Sequence, residues 1–553
     1  PKPRKSTDPA GWGPAAARNK LGLAMSWRAL YVIGIARALQ QRTPLRTAAR
    51  KRTAAALAAT ETTDDYGILQ QEMERGGASF TDCRIAPCGG TERAIVATAA
   101  HAKGSVLICV PRALAITSDA ALAYASGAAA KTLEGASDGD LLAVWLLEQD
   151  ASSEFIKSLP TVADLAHLPV FWAGDDLALL AYSDVGRRLG GRVKSDDAFH
   201  AELRRVSPDY AASCDRERWA WAKAIVASRA FSMPGDGPLP PGSCVGEDYD
   251  DAYVHGVSAL IPLVDMINHV AVSDGASCEW GVERLPGDVR GDFVVRALRD
   301  IEPGEMSISY GDLSAAGSLL NYGFLGRDAA SSQDCATVSV SLDARERSEA
   351  SSGFDVASRR QTRLFDALPG RSAKRSLWFR DEDLHDTDWA RGERRVRVGF
   401  GDPTSGRLLL ALCRVAVASE AEVDALLALP DVAEQWAATI APAPVSWRNE
   451  RAAMERLDDV ATEALRAREN LDAERGGGNV NARNAAIAAD VETEILVHWQ
   501  TLARRASYVL DFASDADDAP SAFDVGMIYA EELEKMLDSP TCFPKYAPPT
   551  AVA

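Results

Sequence analysis

A β pattern that stops and later resumes is the feature that most constrains this fold. Two short β-branched runs, "RAIVAT" (Arg93 to Thr98) and "GSVLICVP" (Gly104 to Pro111), come early, and Pro111 closes the second. From Asp138 the apolar period becomes helical, with Leu141, Leu142, Trp145 and Leu146 on one stripe, and a long polar helical region continues to Phe231. The loop "MPGDGPLPPGS" (Met233 to Ser243) ends that region, and a second β-rich block runs from Ser258 to Tyr310. Helices therefore interrupt a β domain, which places the chain in the α+β class.

Beyond about residue 345 the pattern is predominantly helical. Met454, Leu457, Val460, Ala461, Ala464 and Leu465 form one amphipathic stripe, and Ile487, Val491, Ile495, Trp499 and Leu502 form another. "RGGGN" (Arg475 to Asn479) breaks between them, which predicts an antiparallel helical hairpin. No internal repeat of fixed period is visible. The chain, at 553 residues, exceeds the ~250–300 at which a single core stops growing, so several domains are expected.

The stretch "SISYGDLSAAGSLLNYGF" (Ser307 to Phe324) joins the two patterns. Ser307, Ile308 and Ser309 alternate as a strand edge, Gly311 permits a tight turn, and Leu319, Leu320 and Phe324 recur at helical spacing. Tyr310 sits at the bend. A phenol there is either a buried residue with a satisfied hydroxyl or a group aimed at a site, and the fragment alone leaves both open.

Composition narrows the classes. No apolar run approaches the ~20 residues that span a bilayer, since the best, Ala29 to Ala36, stops at Arg37. Nine scattered cysteines without a CxxC favour reduced thiols; Cys83 and Cys88 form a lone Cys-x4-Cys pair, more in keeping with two unrelated thiols than with a zinc site. Residues 1–60 hold twelve Lys or Arg against Asp8 alone, so that segment carries +11 of a net −19 and the remainder carries −30. So acidic a body does not suit nucleic acid as a main partner. The basic, alanine-rich leader over 1–63 reads as a targeting extension to a plastid or other organelle, with a disordered basic arm or a weak nuclear signal at Arg50 to Arg52 as the alternatives and the cytoplasm as the other location.

Three separated segments carry a resemblance. "VASRAFS" (Val226 to Ser232), "LIPLVDMINHV" (Leu260 to Val270) and the stretch around Tyr310 resemble SET-domain protein methyltransferases, in the branch typified by the Rubisco large-subunit lysine methyltransferase. "GSVLICVPRALAI", "SEFIKSLP", "LPVFW", "RDIEPGE" and "PVSWRNE" add matches in order, so the resemblance spans roughly residues 75–505. It implies a SET domain of small β-sheets with a knot-like crossing over 64–330, a helical insert at about 138–245, a mainly helical substrate-binding domain over 331–510 and a tail over 511–553. The implied activity is transfer of a methyl group from S-adenosyl-L-methionine to a lysine of a non-histone protein. A catalytically inactive scaffold that binds protein and a protein-histidine methyltransferase are the alternatives. The implied partner is a protein substrate presented to the C-terminal helical domain of a monomer; neither nucleic acid nor membrane is expected, and no metal.

The resemblance assigns roles by position. Tyr310 matches the catalytic tyrosine. Asn268 and His269 match a cofactor-binding pair, and Arg229 the arginine near the cofactor's carboxylate, where a guanidinium fork suits the task. Asp265, with the backbone of Ser228 and Arg229, matches positions around the target amine and cofactor, and Trp280 an aromatic of the lysine channel. Tyr322, Gly323 and Phe324 match the segment beside the adenine. Taken singly, His269 could be a core histidine, Arg229 a surface ion pair and Phe324 plain core. Two departures stand out: Thr91, Glu92 and Arg93 occupy the cofactor loop where relatives place glycine, and "LSAAG" replaces a Ser-Asn-Ala-Glu turn after the tyrosine. The chemistry requires donor, methyl and amine to be collinear, and an apolar channel that lowers the amine's pKa from its usual ~10.4.

Overall fold

The structure is a computed structural model and describes residues 67–89, 92–124, 130–133, 136–181, 183–207, 210, 214–234, 256–270, 275–283, 291–325, 331, 333–342, 356–368, 393–399, 403–432, 435–441, 444–472, 479–515 and 533. The leader expectation lies outside the described residues. The described residues divide into two compact units, one from the chain up to Leu159 with Arg229–Gly311, the other from Pro160–Ser228 with the chain from Asp312 onward.

In the first unit, helix α1 (Gly67–Arg75) precedes strands β1 (Ser79–Phe80), β2 (Cys83–Gly89), β3 (Glu92–Ala97), β4 (Val106–Val110) and β5 (Ile116–Thr117). Helices α2 (Ser118–Tyr124), α3 (Asp138–Glu148) and α4 (Glu154–Ser158) follow, and the unit resumes with β6 (Phe231–Pro234), β7 (Gly256–Leu260), β8 (Cys278–Glu283) and β9 (Asp292–Ala297). Three small antiparallel sheets result: β1-β4-β9-β8, β5-β7-β6 and the β2-β3 hairpin. Strand β4 is central and buried through Leu107, Ile108 and Val110, which explains its continuous apolar run. Ser137 caps α3 by accepting from the Asp140 amide, and Asp138 Oδ2 accepts from the Ser258 amide at 3.0 Å, fixing the helix on β7.

In the second unit, helices α5 (Asp184–Val206) and α6 (Arg216–Arg229) come from the insert, the last residue of α6 belonging to the first unit. They are followed by α7 (Ala315–Tyr322), β10 (Cys335–Ser341), α8 (Val356–Ala367), β11 (Glu393–Gly399), α9 (Pro403–Ala416), α10 (Glu420–Leu427), α11 (Trp447–Asp472) and α12 (Val480–Asp515). The hairpin expected from the two stripes is α11 with α12: Asp458 meets Arg504, Thr462 meets Gln500 and Arg468 meets Glu492, an antiparallel pairing. Met454, Leu457, Val460, Ile495, Trp499 and Leu502 all enter this unit's core.

The region after 345 is predominantly helical among the described residues, as expected, with one strand inside it: β11 pairs antiparallel with β10 from Cys335↔Gly399 to Ser341↔Glu393, burying Val396 and Val398 on one side. Two expectations are corrected. The chain over 511–553 is not wholly a tail: α12 runs to Asp515, and Leu533 is buried in the core. Ser307 to Ser309 do not form a strand; a single parallel bridge joins Ile308 to His269.

Polar groups lock the second unit. Arg414 and Glu450 are both fully buried; Arg414 Nε and Nη2 donate to the Glu450 carboxylate at 2.6 and 2.7 Å, and Nη1 donates to the carbonyls of Ile440 and Ala441. The match "PVSWRNE" is therefore part of a core tie, with Asn449 Nδ2 donating to the Arg414 carbonyl. Asp184, also buried, receives Arg187, Arg397 and the Thr337 hydroxyl; burial pushes its carboxyl up, but the guanidinium groups outweigh that and hold it well below the carboxylate range.

Candidate active site

The segment from Ile261 to Val270 makes a tight descent after β7. Leu263 takes φ +70°, a left-handed conformation that a leucine rarely adopts, and Val264–Met266 form one 3-10 turn closed by Met266 N–H to the Leu263 carbonyl at 3.0 Å. That turn sinks the Asp265 side chain to 2% exposure. Arg229 Nη1 donates to Asp265 Oδ2 at 2.7 Å, while Asp265 Oδ1 is buried with no hydrogen-bond partner among the described residues. A buried carboxylate oxygen left unpaired is costly, which makes Asp265 a candidate binding group.

Next the chain crosses itself. The Ile308 amide donates to the Asn268 carbonyl at 3.1 Å and the Val270 amide to the Ile308 carbonyl at 2.9 Å, about the single bridge at His269. Two residues on, the Tyr310 amide donates to His269 Nδ1 at 3.0 Å. Nδ1 is thus the accepting nitrogen, which sets the tautomer with the proton on Nε2. The rings of His269 and Tyr310 lie 4.9 Å apart. Gly311, at φ +105°, turns the chain away, as its place beside the phenol predicts.

The Tyr310 hydroxyl donates to the Ile267 carbonyl at 2.8 Å. Burial pushes its pKa up to about 12, against the opposing charge of Arg229, so the phenol stays protonated throughout the physiological range. Tyr310 can hold and orient a partner; it cannot serve as a phenolate base at neutral pH.

An apolar wall stands on β6, β8 and β9. The Trp280 ring stacks on Phe293 at 5.6 Å and 11°, and Phe231 meets both edge-on at 5.6 and 5.1 Å. Phe231 and Trp280 are half-buried, Phe293 wholly so.

The structure brings Arg229, Asp265, Asn268, His269 and Tyr310 into one cluster of the first unit. It arranges the other expected residues differently. Glu92 and Arg93 are the opening residues of β3, not a loop; Arg93 lies opposite Pro87 and its Nη1 donates to the Ser158 carbonyl at 3.3 Å. Thr91 lies outside the described residues. The Ser228 hydroxyl turns back into its helix, donating to the Ala224 carbonyl at 2.8 Å, so only its backbone is available to a ligand. Tyr322, Gly323 and Phe324 belong to the second unit, where Gly323 closes α7 at φ +71° and Phe324 lies beyond the helix, 40% exposed. Phe324 is therefore not a residue of the helical stripe. Sequence reasoning missed the Ile267 carbonyl, Leu263 and Phe293; only Phe293, in the alternation of "DFVVRA", left a readable trace. Among the described residues no group of three His, Cys, Asp or Glu is placed to hold a metal ion.

No family model and no curated protein matches the chain in sequence. Solved structures do match in three dimensions. The SET domain of LSMT bound to lysine and AdoHcy aligns with TM-score 0.57 at 15% identity, over 82% of this chain and 94% of that one. Rubisco LSMT bound to sinefungin and monomethyllysine aligns with TM-score 0.56 at 15% identity, over 84% and 99%. Rubisco LSMT bound to AdoMet gives 0.55 at 15%, over the same shares. The mixture of small antiparallel sheets, the single-bridge crossing and the helical C-terminal region thus make this chain a protein with the SET-domain fold represented by Rubisco LSMT.

Proposed function

We propose that this chain is an S-adenosylmethionine-dependent protein-lysine N-methyltransferase acting on a non-histone protein. The observation that carries the reading is the crossing at His269 and Ile308, which sets a neutral, anchored phenol near a buried carboxylate with an unpaired oxygen. The neighbours of the same fold are described with AdoMet, AdoHcy, lysine and monomethyllysine bound, and this supports the choice of reaction.

The cluster's donors suit the cofactor. Beyond Nη1, the Arg229 guanidinium offers Nε and Nη2 to a carboxylate, and Asp265 Oδ1 offers an acceptor to an ammonium; the amino-acid portion of S-adenosylmethionine carries both groups. Asn268 and His269 are the further residues of this unit we assign to holding it. When bound, this cofactor supplies a methyl group on a positively charged sulfur. The protein's own work is positioning. Tyr310, its proton committed to the Ile267 carbonyl, keeps oxygen lone pairs that accept from an amine N–H and aim the nitrogen's lone pair. With the phenol neutral, loss of the amine's proton falls to desolvation along the apolar wall of Phe231 and Trp280.

That wall also favours lysine over histidine. An imidazole needs a fixed polar partner to present one ring nitrogen, whereas Phe231 is engaged only with Trp280 and Phe293 among the described residues, and Val264 is fully buried. Calorimetric titration with S-adenosylhomocysteine followed by fragmentation spectra of proteins methylated by the recombinant chain tests the reading. Methyl on lysine Nε is expected. Methyl mainly on histidine overturns the acceptor, and no cofactor binding turns the chain into an inactive protein-binding scaffold.

A further inference from the structure

The stretch from Ser307 to Tyr310 forms no strand, so the place of the phenol depends on individual hydrogen bonds rather than on a ladder. On one side these are the bonds of the crossing, which tie Ile308 to Asn268 and Val270 and the Tyr310 amide to His269. The other side is held by two consecutive residues. The Ser307 amide donates to Ser277 Oγ at 2.8 Å, and the Ser307 carbonyl accepts from the Cys278 amide at 2.9 Å. Ser277 has no exposed surface. Its own carbonyl is committed to the Leu298 amide at 2.9 Å, so its hydroxyl does for Ser307 what a strand carbonyl would do in a ladder.

That hydroxyl joins the phenol segment to the strand of the aromatic wall. Ser277 immediately precedes β8 and lies three residues before Trp280, and Ser307 lies three residues before Tyr310. The approach to Ser307 is held independently: Arg299 Nη1 donates to Glu305 Oε2 at 2.9 Å, and the Gly304 amide to the Ala97 carbonyl at 2.8 Å. With the segment already brought to β8 by these bonds and by the Cys278 amide, what the Ser277 hydroxyl adds is its exact spacing. We infer that Ser277 is a positioning residue for the methyl transfer, acting through the Ser307 amide to hold Tyr310 at its working distance from the Trp280 wall. This rests on the methyltransferase reading above. The effect belongs in the rate and not in cofactor affinity, because a displacement of about 1 Å in a group that orients the reacting atoms costs up to about 10²-fold.

The test is a double-mutant cycle read by the initial rate of tritiated methyl transfer from saturating S-adenosylmethionine to poly-L-lysine and to a cell lysate, beside titration with S-adenosylhomocysteine. Ser277→Ala removes the acceptor and is expected to lower the rate by about ten-fold, with affinity for S-adenosylhomocysteine within about two-fold. Should it fail to fold, Ser277→Cys keeps the length of the side chain, exchanges the hydroxyl for a weak acceptor and should lower the rate likewise. Ser277→Thr, which retains the hydroxyl, should recover most of the rate. Combined with Tyr310→Phe, the Ser277→Ala loss should shrink to under about two-fold, since a residue that acts through the phenol has nothing left to position. A purely structural role would instead lower the melting temperature with the rate unchanged, or subtract fully in the double variant, and either result overturns the inference while leaving the methyltransferase reading intact. A wild-type chain that binds no S-adenosylhomocysteine, or moves methyl to neither acceptor, refutes that reading itself and takes this inference with it.

Discussion

Glu450→Gln tests the buried tie of the second unit. The substitution keeps the shape of the side chain and removes its charge. In the native protein the Arg414 fork closes on both carboxylate oxygens, and neither side chain has any exposed surface. A glutamine can return one acceptor, while its amide group is forced against a guanidinium N–H. The carbonyls of Ile440 and Ala441 still accept from Nη1, so the cation is not wholly abandoned. Removing one partner of a buried pair costs about 3–5 kcal/mol, and the retained carbonyl contacts place this case near about 3. At ~2–4 °C per kcal/mol for a unit of this size, the melting temperature should fall by roughly 6–12 °C. Urea unfolding followed by far-ultraviolet circular dichroism gives the free energy, and thermal melts give the temperature. The double variant Arg414→Met/Glu450→Leu removes both charges and should recover most of the loss. A loss below about 1 kcal/mol for Glu450→Gln, or a double variant no better than the single one, would show that the pair is not the buried tie described here.

Tyr310→Phe should cut turnover by about ten-fold or more, with cofactor affinity within a few-fold, and cost about 1 kcal/mol of stability through the lost bond to the Ile267 carbonyl. Because the phenol's pKa is about 12, any rise of rate between pH 7 and 10 should persist in the variant; its disappearance would mean that Tyr310 titrates there. His498 is buried and its pKa is pushed down from 6.5 to about 4, so the folded state favours the neutral ring: the stability is present above 6.5 and is lost as pH falls toward 4. The loss over that window should be about 3 kcal/mol and should largely vanish in His498→Leu, as urea midpoints at a series of pH values would report. Removing residues 1–60 should leave the melting temperature unchanged, and a clear fall would refute the leader reading.

Local periodicity made much of the fold legible. The interrupted β pattern marked β3, β4 and β7 to β9, the stripes on either side of "RGGGN" marked α11 and α12, and the Gly311 bend marked where Tyr310 would stand. These are properties of one stretch of chain, fixed by which of its faces is buried. Pairings between distant stretches were not legible. The Ile267 carbonyl that takes the Tyr310 proton lies 43 residues away, the Arg414–Glu450 tie spans 36, and β11 is a strand because Val396 and Val398 find Val338 and its neighbours across the ribbon. Leu533 likewise carries no local mark of its burial. Sequence decided which elements could form and which residue types stood ready for chemistry. The tertiary structure alone decided which buried donor meets which acceptor, because in a packed interior that pairing depends on every surrounding side chain and not on neighbours along the chain.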